Sequence, residues 1–489
     1  MFFERGVRVS VRRVVLSSAD SATIIAAFVL AAVIRLSADA GIAYVKSHLG
    51  YLVGSGIIFL LVFYICGMYE RQILTQHRYF VRTPLVAVTL GVLLVVAAFY
   101  GQFKLAIGRG ILAMASGMIL LGSWAVRGLF RLAVGYGWLT RNTLVVGDQA
   151  QAASVINLIY AHPDAGYQVR GVVYCGQRPE GGFVEQIPVL GPVSDLKKFV
   201  NVYDVETVVV ATSLRKEREV LRILRPIRYA GVQLLDYVAL HEELAQEIPL
   251  DHIDDEWLMS AAMNSSRIHI RQIKRVMDVF VALTGLIVLS PVFLLALILV
   301  KISSPGPAIY RQKRVGLDGR EYVLLKIRTM VPSAERDTGP VWCNSHDRRI
   351  TAVGRFLRKW RMDEIPQLVN VLRGEMSLVG PRPERPEFVE ILSEAIPFYR
   401  ERLLVRPGIT GWAQVNYPYT GSISAARRKL QFDLFYIKNM SFLLDVAILL
   451  RTFRTIVAGL RYAEEHPGTT LELPVQARNS EAEAAGNRP

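Results

Sequence analysis

Four apolar stretches crowd the first 140 residues of the chain: Val14 to Ile34, Tyr51 to Met68, Pro84 to Phe99 and Ile111 to Val126. Each approaches the roughly 20 residues that a helix needs to span a bilayer, where backbone polar groups find no water and must be satisfied within the segment. Residues 1–140 are therefore expected to form a bundle of four transmembrane helices. Composition agrees: 52% of the 489 residues are hydrophobic and 20% charged, and the mean hydropathy of +0.30 is too high for a water-soluble chain of this size. Arg5, Arg8, Arg12 and Arg13 ahead of the first stretch resemble the start of a secretory signal. No small-residue cleavage site follows and further spans do, so the first helix is expected to be retained.

Lys and Arg accumulate in cytoplasmic connections. The N-terminus is basic, the connection after the second stretch holds Arg71, Arg78 and Arg82, and the exit from the fourth holds Arg127, Arg131 and Arg141. The remaining connections are sparser, with Lys46 in one and Lys104 and Arg109 in the other. This places both ends of the bundle, and everything after it, on the cytoplasmic side of an inner membrane. The net charge of +15 suits a surface that meets anionic lipid or phosphates. Cys66, Cys175 and Cys343 are scattered and form no CxxC, which excludes a disulfide framework and gives no zinc site.

From Thr143 short β-branched runs alternate with helical patterns, the βαβ signature of a small parallel sheet, expected over residues 141–262. The strand ending at Gly147 runs into a helix as in a Rossmann domain, but Gly147-Asp148-Gln149-Ala150-Gln151-Ala152 lacks the later glycines of GxGxxG. A pyrophosphate could not approach that backbone closely, which favours a regulatory or dimerising role over cofactor binding.

The next apolar run, Val276 to Val300, is flanked by Arg271, Lys274 and Arg275 before it and by Lys301, Arg311, Lys313 and Arg314 after it. Both flanks call for the same side of the membrane. Ser290 and Pro291 in its middle oppose straight continuation, so a helix over 276–303 that breaks there and returns is expected, the alternative being an ordinary kinked span. Ser441 to Leu460 carries Asp445, Arg451 and Arg454 at spacings that suit a helix lying in the interface plane. The polar stretch 464–489 reads as disordered.

Adjacent carboxylates stand beside a basic cluster in Arg358-Lys359-Trp360-Arg361-Met362-Asp363-Glu364-Ile365-Pro366-Gln367. Neighbouring cations keep at least one of them ionised, and an ionised Asp363 is both a competent nucleophile toward phosphorus and a hard magnesium ligand. A lone Asp-Glu pair on a helix is usually a solvated face. Its companions change the balance: the turn Ser377 to Pro383 presents Arg382, and the loop Arg406 to Asn416 offers Gln414 and Asn416 among glycines. In one basic domain against a membrane, these features favour phosphoryl transfer.

At these residues the chain resembles the bacterial polyprenyl-phosphate phosphoglycosyl transferases of the large monotopic type. These are the initiating sugar transferases of exopolysaccharide, capsule and O-antigen assembly. The resemblance rests on Lys274-Arg275 with Asp278, Ser290-Pro291, Ser304 to Pro307, Gln312 to Gly316, Lys326 to Met330, Asp363 to Leu368, and the two glycine loops, and it runs in order from Arg271 to Leu460. Ile327 stands where Phe is usual, and the second loop continues Tyr417-Pro418-Tyr419, a departure that bears on sugar choice. The insert Asp337 to Trp342 looks like the exosortase-associated subgroup.

The resemblance implies a membrane protein with a four-helix bundle, a Rossmann-like α/β domain and an α/β catalytic domain over 263–463 with a re-entrant helix. It implies that Asp363 attacks the sugar-bearing phosphate of a UDP-sugar, that UMP leaves, and that undecaprenyl phosphate then takes the phosphosugar. Glu364 would assist, Mg2+ would sit on Asp363, and Lys326, Arg328, Arg358, Arg382 and Arg406 are the candidates for phosphate contacts, at least one of them serving only within the fold. The expected partners are the donor, the lipid acceptor, the bilayer and a second copy of the chain, with no nucleic acid. A membrane-bound NAD-dependent enzyme acting on nucleotide sugars and a non-catalytic assembly protein are the competing readings. The missing glycines oppose the first and the intact Asp-Glu pair the second.

Overall fold

The structure, a computed structural model, describes residues 11–69, 73, 77–100, 108–135, 140–176, 179–211, 218–255, 268–331, 349–417 and 422–457. Arg5, Arg8, Arg71, Lys104, Cys343, the insert Asp337 to Trp342, Pro418-Tyr419 and the stretch 464–489 lie outside the described residues. The chain divides into one unit of Arg8–Ala245 and another built on Gln246–Pro489. That division falls upstream of the boundary expected at residue 262. The reason is local: Ile248 and Leu250 are buried in the core of the second unit, and Glu247 and Asp251 pair with Arg428 and Arg427.

The first unit opens with α1 (Val11–Leu36), α2 (Ala38–Ser47), α3 (Leu49–Ile65), α4 (His77–Tyr100) and α5 (Arg109–Gly135). Val14–Leu36, Tyr79–Phe99 and Arg109–Ala133 are each long and apolar enough to cross a membrane, and α2 with α3 makes a further candidate bent by 78°. The sequence pattern anticipates the apolar stretch but not the bend. Gly41 sets the place of α2, because a Cβ there would lie 2.6 Å from the Cα of Val33, so α2 packs on α1 at backbone contact. Inside the bundle Arg127 of α5 makes a two-bond fork with Asp20 of α1 at 2.9 and 2.8 Å, both side chains fully buried.

The same unit continues with β1 (Arg141–Val146), α6 (Gln149–Ala161), β2 (Tyr167–Tyr174), β3 (Phe183–Val184), β4 (Ile187–Pro192), α7 (Leu196–Val202), β5 (Thr207–Val210), α8 (Arg218–Tyr229), β6 (Gln233–Asp236) and α9 (Tyr237–Ala245). The sheet order is β3-β4-β2-β1-β5-β6, parallel except for the β3 edge. The central strand β5 is Thr-Val-Val-Val and β1 ends Leu-Val-Val, all buried, because helices cover both faces. At the reversal of strand order, a Cβ on Gly147 would lie 2.8 Å from that of Ala211, so this glycine serves strand-end packing.

The second unit begins with α10 (Ile268–Ser303), followed by the hairpin β7 (Ile309–Val315) and β8 (Glu321–Ile327). Then come α11 (Ala352–Lys359), α12 (Gln367–Arg373), β9 (Ser377–Val379), α13 (Pro386–Ala395), β10 (Gly408–Thr410), α14 (Trp412–Asn416), α15 (Ile423–Asn439) and α16 (Phe442–Val457). The expected break at Ser290 and Pro291 is not present, and α10 runs through both as one helix. Pro291 removes only one ladder bond, and the Ser290 hydroxyl donates to the carbonyl of Ile287 at 2.7 Å, which keeps the local turn closed.

What constrains α10 is its packing. Near its start Arg275 donates to the carbonyls of Val371 and Leu372, and Asp278 accepts the N–H of Leu378. Midway Gly285 meets Leu368, and farther on Phe293, Ala296 and Val300 join a cluster with Ile327, Leu357 and Met362. The helix thus rests on its own unit over its first half and again from Phe293 to Val300, with every residue from Ile287 to Val292 exposed between the two contacts. The opposite stripe, Val276, Phe280, Leu283, Ile287, Leu294, Ile298 and Ile302, is exposed and wholly apolar.

Candidate active site

Asp363 and Glu364 occupy a single 3₁₀ turn, Met362–Glu364, between α11 and α12. Arg361 precedes it in the left-handed region at φ 56°, which turns the chain so that both carboxylates point inward. They are 8% and 7% exposed, and such burial would expel a charge that had no partner. Asn370 fixes the opposite wall: it donates to the Val323 carbonyl and accepts the Leu325 N–H, pinning α12 to β8 one residue from Lys326.

The cations gather on Glu364. Its Oε1 lies 3.7 Å from Lys326, 3.4 Å from Arg361 and 3.4 Å from Arg382. Burial raises its pKa, but Arg361, Arg382 and Lys326 together outweigh burial and hold the carboxyl well below the usual range. Among the described residues no cation stands within ion-pair distance of Asp363. Burial and then the negative Glu364 push its pKa up to about 6, against weaker pulls from Lys326, Arg358 and Arg361. Lys326 moves down to about 8, first through burial and then through Arg382, with the carboxylates opposing. Two adjacent acids with pKa values driven apart, beside a softened lysine, are a mark of reactive chemistry.

The other expected phosphate contacts divide. Arg358 donates to the Thr329 hydroxyl at 2.8 Å, which anchors it beside the turn. Arg328 is buried and spends its guanidinium on the Ser304 and Pro305 carbonyls and the Ser304 hydroxyl, bracing the turn after α10. Arg406 donates to the Gly374 carbonyl. Gln414 donates to the Ile409 carbonyl, and Asn416 accepts from Arg451 and donates to Trp412. Arg328, Arg406, Gln414 and Asn416 therefore serve hydrogen bonds within the fold, and only Lys326 and Arg382 of the candidate cations lie at ion-pair distance from the acids.

The two glycine loops are neighbours, because β9 and β10 pair in parallel. A Cβ on Gly380, Gly408 or Gly411 would collide with the backbone of the facing loop. These glycines thus bring the loops onto one another, rather than opening them to a phosphate. Sequence reasoning passed over Arg361 and Asn370. Arg361 stood within the basic cluster but carried no signal of its left-handed backbone, and Asn370 is a lone amide in an apolar helix whose partners are remote in sequence.

A fit for magnesium can be judged from the donors. Glu364 is already covered by cations, and among the described residues no cluster of three His, Cys, Asp or Glu could hold a metal. Mg2+ is commonly held by one or two carboxylates together with substrate phosphates and water. Asp363, with no ion-pair partner among the described residues and anionic above about pH 6, meets that requirement.

Residues 269–459 match the family model described as bacterial sugar transferase, and residues 64–235 match one described as a CoA-binding domain. The chain is 40% identical over 238 residues to the UDP-N-acetylgalactosamine-undecaprenyl-phosphate N-acetylgalactosaminephosphotransferase of Aeromonas hydrophila, covering 49% of this chain and 55% of that protein. It is 32% identical over 352 residues to the UDP-glucose:undecaprenyl-phosphate glucose-1-phosphate transferase of Escherichia coli K12, covering 67% of this chain and 71% of that protein. A match of 39% identity to the exopolysaccharide production protein ExoY of Sinorhizobium fredii covers 37% of this chain but 84% of that protein. The chain thus spans about half the length of the first relative and most of the other two.

Proposed function

The chain belongs to the bacterial sugar transferases, a family with named undecaprenyl-phosphate sugar-1-phosphate transferases among its members, and from that premise we propose that it is such an enzyme. In the proposed reaction a UDP-sugar donates its sugar-1-phosphate to undecaprenyl phosphate, which starts an exopolysaccharide or O-antigen unit. The observation that carries the reading is the division of labour in the Asp-Glu turn: Glu364 holds the cations, and Asp363 has no ion-pair partner among the described residues.

In the first step an Asp363 oxygen forms a bond to the sugar-bearing phosphorus while the bond from that phosphorus to the bridging oxygen breaks, so UMP leaves. In the second, a phosphate oxygen of the lipid attacks the same phosphorus and Asp363 departs as carboxylate. Atoms balance as UDP-sugar plus undecaprenyl phosphate giving undecaprenyl-diphosphate-sugar plus UMP. Arg382 and Lys326, fixed by Glu364, supply charge to the equatorial oxygens as it builds up, and Arg361 completes the collar around Glu364. Mg2+, held by Asp363 with the donor's phosphates, would neutralise charge on the leaving group.

The seating of α10 supports a helix that dips into one leaflet. A span would have to leave its domain at one membrane face, whereas this helix touches the same unit near Arg275 and Asp278 and again at Phe293, Ala296 and Val300, with an exposed apolar middle between these contacts. With the basic connections, this supports an inner-membrane enzyme with its site at the cytoplasmic face. The large N-terminal unit carries none of the site residues and is free to mediate a homodimer, to be tested by light scattering in nanodiscs.

Purified protein in lipid with Mg2+ and undecaprenyl phosphate should release UMP from UDP-glucose or UDP-N-acetylgalactosamine. Quenched reactions lacking the lipid acceptor should leave a phosphosugar on the peptide containing Asp363, read by mass spectrometry. Release of UDP, or a modified peptide elsewhere in the chain, would refute the mechanism.

A further inference from the structure

The turn that presents Arg382 is bracketed by Pro381 and Pro383, which have no N–H to give, so it can be tied down chiefly through its carbonyls. All four consecutive carbonyls are tied. Pro381 accepts from the N–H of Gly408 at 2.9 Å and Glu384 from the N–H of Val315 at 3.0 Å. Pro383 accepts from Arg314 at 3.0 Å, and Arg382 accepts from Arg402 at 2.9 Å.

Arg402 is built for this task. It is 6% exposed, its second nitrogen donates to the Tyr399 hydroxyl at 2.7 Å, and the nitrogen that holds the Arg382 carbonyl also lies 2.9 Å from Asp433. A planar guanidinium makes these two hydrogen bonds and the ion pair at once, which an ammonium on a flexible stem cannot reproduce. The bond lands on the residue whose side chain reaches Glu364.

We propose that Arg402, held by Tyr399 and Asp433, is a positioning residue that sets the aim of Arg382 at Glu364 and the substrate phosphate through its grip on the Arg382 carbonyl. The proposal rests on the function argued above. Arg402 itself touches no substrate. Its loss lets the turn drift, and a displacement of about 1 Å at a reacting centre costs on the order of 100-fold in rate.

The test is a cycle in the full-length protein in lipid, comparing wild type, R402K, R382A and the double variant, with UMP release measured on UDP-glucose and UDP-N-acetylgalactosamine. R402K should lower kcat by about 10- to 100-fold with KM for the donor little changed. The double variant should be no slower than R382A alone, because a residue acting only through Arg382 has nothing left to position. Multiplying losses, or an R402K enzyme at the wild-type rate, would overturn the proposal.

Hydrogen exchange supplies a readout that does not need turnover. The amides of Gly408 and Val315, which donate to the Pro381 and Glu384 carbonyls, should exchange faster in R402K while those of β8 and α12 keep their protection; unchanged exchange at both would also overturn it. Should R402K fail to fold, Tyr399→Phe removes one of the three anchors at nearly constant volume and is read in the same two ways. Wild-type protein that releases no UMP would count against the function instead, and the exchange arm would still decide what Arg402 does.

Discussion

Arg361 holds a backbone conformation in which side chains other than glycine are uncomfortable, at a cost of roughly 1–3 kcal/mol. The return is a cation on Glu364, so Arg361→Gly should leave thermal stability unchanged or higher while turnover falls about tenfold. Melting curves and rates on the same preparation would check the split. The pH profile follows from the shifted groups: kcat/KM should fall below about pH 6 as Asp363 takes up a proton and above about pH 8 as Lys326 loses one. Lys326→Met should be slower and lack the upper limb. Asp363 also has a stability signature. Its folded pKa lies above its unfolded value, so its contribution is fully present below the unfolded pKa and is lost as pH rises through about 6. Asp363→Asn should therefore abolish turnover yet melt higher than wild type at pH 8, with the gap closing toward pH 4.

At the scale of elements, the apolar runs and the βαβ alternation are legible, because period and spacing are local properties. Ser290-Pro291 misled as a break: one missing donor is a small perturbation on a helix of 36 residues, most of whose ladder is intact. The glycine loops were read as open to a phosphate because nothing in the sequence says that β9 and β10 lie side by side. Gly380→Ala should accordingly behave as a folding defect, with loss of soluble detergent-extracted protein, rather than as a pure loss of donor affinity. The two faces of α10 make opposite predictions. Ile287→Glu, on the exposed surface, should leave the melting curve of detergent-solubilised protein unchanged. Ala296→Glu would bury an unpaired charge against Ile327 and Leu357 and should destabilise the unit itself.

Across the molecule, the division of the chain was less legible than its parts. The segment from Gln246 to His252 falls within the α/β domain expected over 141–262, yet it closes the second unit: the Gln246 carbonyl accepts from the Trp412 indole and Ile248 donates to Gln431. The first unit has a comparable hidden dependence in Asp20 and Arg127, which are 107 residues apart and fully buried together. Asp20→Asn leaves the arginine uncompensated and should cost about 3–5 kcal/mol, whereas paired replacement by leucines should recover most of the loss. Extraction yield and melting of the single and double variants would measure it. The two-point seat of α10 has a kinetic consequence of its own. A helix held by the catalytic unit near both ends acts as a keel of fixed draught, holding the Asp363 turn at one height relative to the lipid. The acceptor must then arrive by lateral traffic within a sheet, and its supply is counted per unit of area. Diluting undecaprenyl phosphate with inert lipid at constant bulk amount should slow turnover in proportion to its mole fraction, while the dependence on the water-borne donor stays unchanged.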